Sequence, residues 1–205
     1  MQVNQYTLKN LQKMVDDGRF QLPQLPNNKE FKNCKVLGNK VLSIADVNVD
    51  LIDGNPQRVN DNLTDRYPGL SHSFGVSIRY DKLPPAVYEL KSHPGVYYLC
   101  DGFGRVYMFK TDGQLHWVFT VIQVPDESFV ENIQSWYNEH TPSVCNTEDD
   151  YVNLVLRRIS KGLLKSHEKG IRSYLKNVHV HQPKPVRDTV VSQVLQKLDV
   201  GYKPD

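Results

Sequence analysis

The feature that most constrains the fold of this 205-residue chain is the stretch at positions 97–109. An apolar run ends there in Asp101 and Gly102, a second glycine follows at Gly104, and Arg105 opens the next segment. Glycine permits backbone conformations that other residues avoid and lets a ligand approach the main chain closely. The stretch therefore predicts a strand, a tight turn and a helix N-terminus, whose N–H groups and guanidinium suit an anion such as phosphate.

Length and composition indicate one full domain with a helical appendage, because 205 residues can bury a sizeable core. No apolar run approaches the roughly 20 residues that span a bilayer. The first residues, Met-Gln-Val-Asn-Gln, lack the pattern of a signal peptide. Three widely spaced cysteines form neither a disulfide framework nor a Cys-x-x-Cys metal site. We therefore expect a cytoplasmic protein with reduced thiols, no membrane association and no metal-ligand motif.

The net charge of +2 conceals an asymmetry along the chain. Residues 151–205 hold 11 Lys and Arg against 4 Asp and Glu, which is +7, whereas the first 150 residues hold 14 against 19, which is −5. This asymmetry indicates a polyanionic partner such as DNA, although an ordinary solvated helical surface explains it equally well. The cations predicted to contact a nucleic-acid backbone are Arg157, Arg158, Lys161, Lys165, Lys169, Arg172 and Lys176.

Periodicity and turn signals predict a mixed order of helices and strands. Strands are expected at 35–44, 83–90, 96–100 and 115–124, the second and third forming a hairpin, and helices at 6–17, 105–111, 126–140, 147–161, 168–177 and 187–198. We divide the chain into an N-terminal helix and connector (1–30), a central domain (31–125) and a C-terminal helical region (126–205). The predicted fold class is α+β, a mixed sheet with packed helices and a C-terminal helical extension.

The order of three short segments resembles the ParB/sulfiredoxin-like superfamily. An Asn-Pro-x-x-Arg segment at 55–58 precedes a strand entered through prolines at 84–87, and the next strand ends in Gly-x-x-Arg at 102–105 before a helix. The resemblance covers roughly residues 36–125. It implies a small mixed α/β fold whose Gly-x-x-Arg turn binds the phosphates of a nucleotide or of nucleic acid.

Particular roles follow only from that resemblance. It implies that Arg105 and the backbone of Gly102 and Gly104 hold phosphate. It also implies that Asn55 and Arg58 face the same cleft. The segment at 131–134 (Glu-Asn-Ile-Gln) echoes a sequence that follows this turn in ParB proteins, but here it lies in a predicted amphipathic helix.

The turn departs from the catalytic versions of the family. Sulfiredoxins are similar but carry a nucleophilic cysteine where this chain has Phe103, and Cys100 lies three residues earlier, where we expect a buried core thiol. The resemblance implies that family members with hydrolase or kinase activity carry His or Glu at these two positions. Phe103 and Gly104 have no side-chain group that can transfer a proton. Asp101 is the remaining candidate catalytic residue, and its alternative role is to accept hydrogen bonds within the turn.

Three functions stay open at this stage. The first is a ParB-like nuclease-family protein that binds nucleotide or DNA phosphate and, if catalytic, cleaves phosphodiester or phosphoanhydride bonds with Mg²⁺ or Mn²⁺. The second is a non-catalytic DNA- or nucleotide-binding regulatory module, which Phe103 and Gly104 favour. The third is a homo-oligomer formed through the last helix, whose apolar residues are Val190, Val191, Val194, Leu195 and Leu198.

Overall fold

The computed structural model describes residues 6–48, 84–111, 113–140, 147–179 and 182–201. Within these ranges the chain forms two compact units. The described residues of the first unit are 6–25, 33–48, 84–111 and 113–127, and those of the second are 26–32, 128–140, 147–179 and 182–201. None of the helices in this part of the chain is long and apolar enough to cross a membrane.

The first unit contains a mixed sheet in which five strands are described, in the spatial order β1-β5-β3-β4-β2. The strands are β1 (Lys35–Ser43), β2 (Val47–Asn48), β3 (Ala86–Leu90), β4 (His93–Asp101) and β5 (His116–Val124). The pairs β1–β5 and β3–β4 are antiparallel, whereas β3–β5 and β2–β4 are parallel. The predicted β3–β4 hairpin is therefore confirmed. The apolar run 115–124 forms β5, which lies between β1 and β3 and is buried along most of its length.

Two α-helices are described in the first unit beside the sheet: α1 (Leu8–Asp16) and α2 (Phe103–Thr111). The Thr7 hydroxyl caps α1, and Leu11 is fully buried against the sheet core. The core also contains Trp117, whose indole stacks on Phe109 with ring centroids 4.2 Å apart. Trp117 is therefore a core residue, as its apolar surroundings in sequence indicate.

Four helices are described in the second unit: α3 (Val130–His140), α4 (Glu148–Ser160), α5 (Glu168–Val178) and α6 (Lys184–Asp199). A capping box begins α4: the Thr147 N–H donates to Asp150 Oδ2 at 2.7 Å, and the Asp150 N–H donates to Thr147 Oγ1 at 3.2 Å. Two reciprocal hydrogen bonds thus determine where this helix begins, at the position predicted from the sequence.

Several predicted boundaries need correction. Helix α2 begins at Phe103, two residues before Arg105, and α3 begins at Val130 after a 3₁₀ turn at Glu127–Phe129. The two-residue strand β2 is too short to show an alternating pattern and is absent from the predicted strands. His179, which follows the predicted helix 168–177, is the buried C-cap of α5.

The last helix packs on α4 and α5, and this packing bears on the third functional hypothesis. Val190, Val191 and Val194 are buried within the single chain. These three valines are therefore not exposed for the oligomerisation surface that the sequence suggested.

Candidate phosphate-binding turn

The turn between β4 and α2 is built around Gly102, whose φ of +86° lies in the region that favours glycine. Strand β4 ends at Asp101, and the carbonyl of Gly102 accepts a hydrogen bond from the Val106 N–H at 2.9 Å, the first bond of helix α2. The chain therefore passes from strand to helix within one residue, and the first-turn N–H groups of α2 lie beside that glycine.

Space as well as φ requires glycine at this position. A Cβ on Gly102 would lie 2.8 Å from Pro85 Cβ and 3.0 Å from both Nε and Nη2 of Arg105. Pro85 precedes β3 and is itself fixed, because its carbonyl accepts from the Thr120 N–H at 2.9 Å. The prolines at the start of β3 and the Gly-x-x-Arg turn, which the sequence places in the same motif, thus meet in the structure.

The guanidinium of Arg105 lies against the Gly102 backbone and is held by Asp101. Arg105 Nη2 donates to Asp101 Oδ2 at 2.8 Å, and the side chains of Asp101 and Arg105 are 8% and 25% exposed. A nearly buried carboxylate thus orients a guanidinium that still reaches solvent. Because the Arg105 side chain is already oriented, it loses less conformational entropy when an anion binds than a freely rotating arginine would.

The chemistry that this turn can perform is limited by its other side chains. Phe103 packs against the sheet core, and Gly104 carries no side chain. No group of three or more His, Cys, Asp or Glu side chains among the described residues could hold a metal ion. Asn55 and Arg58 lie outside the described residues.

The seven cations predicted to contact DNA occupy different environments. Arg157, Arg158 and Lys161 gather around Glu131, and Arg172 pairs with Glu168 and Asp188. The remaining three, Lys165, Lys169 and Lys176, are exposed. The role of Glu131 as the partner of the first three cations is not predictable from the sequence, because no local pattern pairs a helical glutamate with cations 26 to 30 residues away.

The polar side chains at 131–134 differ in their hydrogen bonding: Asn132 is bonded on both sides of its amide, whereas the buried amide of Gln134 has no partner among the described residues. Asn132 Nδ2 donates to the Glu30 carbonyl at 2.8 Å, and the Tyr174 hydroxyl donates to Asn132 Oδ1 at 2.9 Å. Ile133 is fully buried, as an apolar residue of an amphipathic helix would be. These bonds give the segment a packing role within its own unit.

Comparison with known proteins identifies the fold. No protein-family model matches the sequence, and no curated protein matches it. The C222₁ crystal form of a pNOB8-like ParB N-terminal domain matches with a TM-score of 0.52, over 83% of this chain and 74% of that one, at 14% identity. The chain therefore has a fold like that of a ParB N-terminal domain, as the sequence resemblance implied.

Two further solved structures are similar at lower TM-scores. A second pNOB8-like ParB N-domain structure gives 0.47 over 84% of this chain and 61% of that one, at 14% identity. The C-terminally truncated chromosome-partitioning protein ParB from Caulobacter crescentus, complexed with CTP-γ-S, gives 0.38 over 79% and 89%, also at 14% identity.

Proposed function

We propose that this protein binds a phosphate group of a nucleotide at the turn between β4 and α2. One observation carries the proposal: the Arg105 guanidinium lies against the Gly102 backbone at the N-terminus of α2, held there by Asp101. Main-chain N–H groups at a helix start and a fixed guanidinium are complementary to phosphate oxygens. The ParB N-domain-like fold and the Gly-x-x-Arg resemblance support the same assignment.

Each residue of the turn has a defined role in this proposal. Gly102 and Gly104 let the phosphate approach the main chain, and Arg105 supplies charge-assisted hydrogen bonds. Asp101 acts as a positioning residue for Arg105. Asn55 and Arg58, which the family resemblance places at the same cleft, complete the proposed set.

We propose binding without hydrolysis. Asp101 is the only carboxylate of the turn itself, and its interaction with Arg105 favours a structural role over that of a general base. The protein would then act as a nucleotide-responsive regulatory module. A phosphate of a DNA backbone is the alternative ligand for the same groups.

Calorimetric titration with the four ribonucleoside triphosphates tests the assignment. Because a hydrogen bond to a charged group contributes about 1.5–3 kcal/mol, Arg105→Ala should weaken binding about 10- to 100-fold. Arg19→Ala is the matched control, since Arg19 belongs to the same unit and is 60% exposed beside Asp17. Equal affinities in wild type and Arg105→Ala would contradict the proposal, and competition by duplex DNA would identify the alternative ligand.

A second assay separates binding from catalysis. Phosphate release from triphosphates and cleavage of DNA are measured with Mg²⁺ and with Mn²⁺, in wild type and in Asp101→Asn. The asparagine keeps an oxygen that can accept from Arg105, so nucleotide affinity should persist, and we expect no turnover in either protein. Turnover that Asp101→Asn abolishes at unchanged affinity would show instead that the protein is an enzyme.

A further inference from the structure

We propose a second phosphate-binding site in the helical unit, formed by Arg157, Arg158 and Lys161 around Glu131 and called here the Glu131 cluster. Lys161 Nζ and Arg157 Nη2 approach Glu131 Oε1 at 2.7 and 3.3 Å, and Arg158 Nη1 approaches Oε2 at 3.4 Å. Two residues near the end of α4 and its C-cap, Lys161, thus converge on one carboxylate at the second residue of α3.

Charge is the first argument for a ligand. Counted over the described residues, three cations and one carboxylate give the cluster a formal charge of +2. A second acid, Glu30, interacts electrostatically with Tyr174. Glu30 forms an ion pair with Lys29 at 3.4 Å, so it is left out of the charge of the cluster. Such an excess in a partly desolvated position favours binding of an anion, because the interaction is screened less there than at a fully exposed surface.

An unpartnered buried donor is the second, independent argument. Arg158 donates through Nη1 to the Ser128 carbonyl at 3.0 Å, and its guanidinium lies 5.1 Å from the centre of the Tyr174 ring. Its Nε–H, however, is buried and has no acceptor among the described residues. Buried donors without an acceptor are rare in native proteins and indicate a missing acceptor. An anion among these cations is the kind of group that supplies one.

The cluster has an inner and an outer layer. The side chains of Arg158 and Glu131 are 6% and 9% exposed, whereas those of Arg157 and Lys161 are 20% and 53% exposed. A ligand from solvent therefore meets Lys161 and Arg157 first, with Arg158 behind them. The early position of Glu131 in α3 also brings the N-terminal end of that helix, which attracts negative charge, to the same place.

The size and charge of the cluster specify the ligand class. A phosphate dianion matches a site of charge +2 and presents several acceptor oxygens to forked arginine donors. That phosphate can be inorganic phosphate or one group of a nucleic-acid backbone. Both would use the same contacts and differ in how strongly binding depends on salt.

The test uses inorganic phosphate and the full chain carrying Arg105→Ala, which removes the proposed turn site. Thermal unfolding and ³¹P NMR are followed against phosphate concentration at constant ionic strength. We expect saturable binding that Lys161→Met weakens about tenfold and Lys161→Arg restores. Lys165→Met is the matched control, because Lys165 is exposed and lies outside the cluster. Equal binding by the Lys161→Met and Lys165→Met variants would overturn the proposal.

A second variant tests the charge argument directly. Glu131→Gln raises the formal charge of the cluster from +2 to +3, so phosphate affinity should increase in protein whose circular dichroism shows that it is folded. Unchanged or weaker binding in that folded variant would count against the site. Competition by duplex DNA would identify the DNA backbone as the source of the phosphate, and Lys161→Met should then lower the salt dependence of DNA binding. Lack of competition would identify a small phosphate ligand. Because every protein in this test carries Arg105→Ala, the result is independent of the proposed turn site.

Discussion

Replacing Gly102 by alanine is the sharpest test of how the turn is built. An L-residue at φ +86° costs about 1–2 kcal/mol. The lower entropy of the unfolded alanine chain returns about 0.4–1 kcal/mol of that cost. The new Cβ would also lie 2.8 Å from the rigid ring carbon of Pro85, and such overpacking costs about 1–3 kcal/mol. Gly102→Ala should therefore lower the free energy of unfolding by about 2–4 kcal/mol.

The structure offers a matched control at Gly95. Its φ is +84°, almost the same as that of Gly102, but a Cβ there would meet nothing within 4 Å. Gly95→Ala should therefore cost only about 1 kcal/mol, the difference between the positive-φ cost and the unfolded-state term. The variants share the positive φ, and the close approach of Pro85 and Arg105 is found only at Gly102.

Urea unfolding followed by circular dichroism and tryptophan fluorescence measures both variants, and nucleotide titration provides a second readout. Because the Cβ would lie 3.0 Å from two guanidinium nitrogens, Arg105 must also move, so Gly102→Ala should lose nucleotide affinity while Gly95→Ala retains it. Unfolding free energies of the two variants within about 0.5 kcal/mol of each other would refute the close approach as a constraint.

Three further predictions concern stability. Glu131→Gln should lower the free energy of unfolding in urea by about 2–4 kcal/mol, because it breaks a mostly buried ion-pair cluster, whereas exposed Glu168→Gln should change it by less than about 1 kcal/mol. Thr147→Ala removes one half of the capping box and should cost about 1 kcal/mol in the same assay, and no change would contradict the cap. Burial raises the pKa of Cys34 to about 12 from its ordinary 9.0, with Asp126 contributing. The folded state therefore holds this proton more tightly than the unfolded state, and the stability it contributes is full below pH 9 and falls as the pH rises toward 12. Comparing unfolding of wild type and Cys34→Ala from pH 8 to pH 11 checks this, and parallel pH profiles would contradict it.

The cations at the two proposed sites are arranged differently from those on a basic, DNA-binding face of a helix. A continuous basic surface would leave its cations in solvent, but Arg157, Arg158, Lys161 and Arg172 all form ion pairs within the second unit. Charges held in this way act at fixed positions. At the proposed sites such charges would recognise individual phosphate groups, whereas the exposed Lys165, Lys169 and Lys176 stay available for the salt-screened attraction to a polyanion.

Local patterns were sufficient to predict most elements of the fold. Helix caps, turn glycines and β-prone runs act within a few residues, so they predicted β3, β4 and β5 and the four helices described in the second unit. They also marked Gly102 and Arg105 as parts of one turn, because an i,i+3 relation is visible in the sequence. The buried thiol of Cys100 and the core position of Trp117 followed from apolar neighbours.

Only the tertiary structure decided which distant groups meet. The sequence by itself determined that Gly102 lies in a strand–turn–helix segment. The contact of Pro85 with the Gly102 backbone depends on the pairing of β3 with β4, and the contact of Arg105 depends on where α2 begins. Likewise, amphipathic helices predicted a charged surface at Arg157 and Lys161, and their convergence on Glu131 depends on how α3 and α4 pack. The physical reason is the same in both cases: backbone preferences act over a few residues, whereas contacts and desolvation depend on the partner that the folded chain provides.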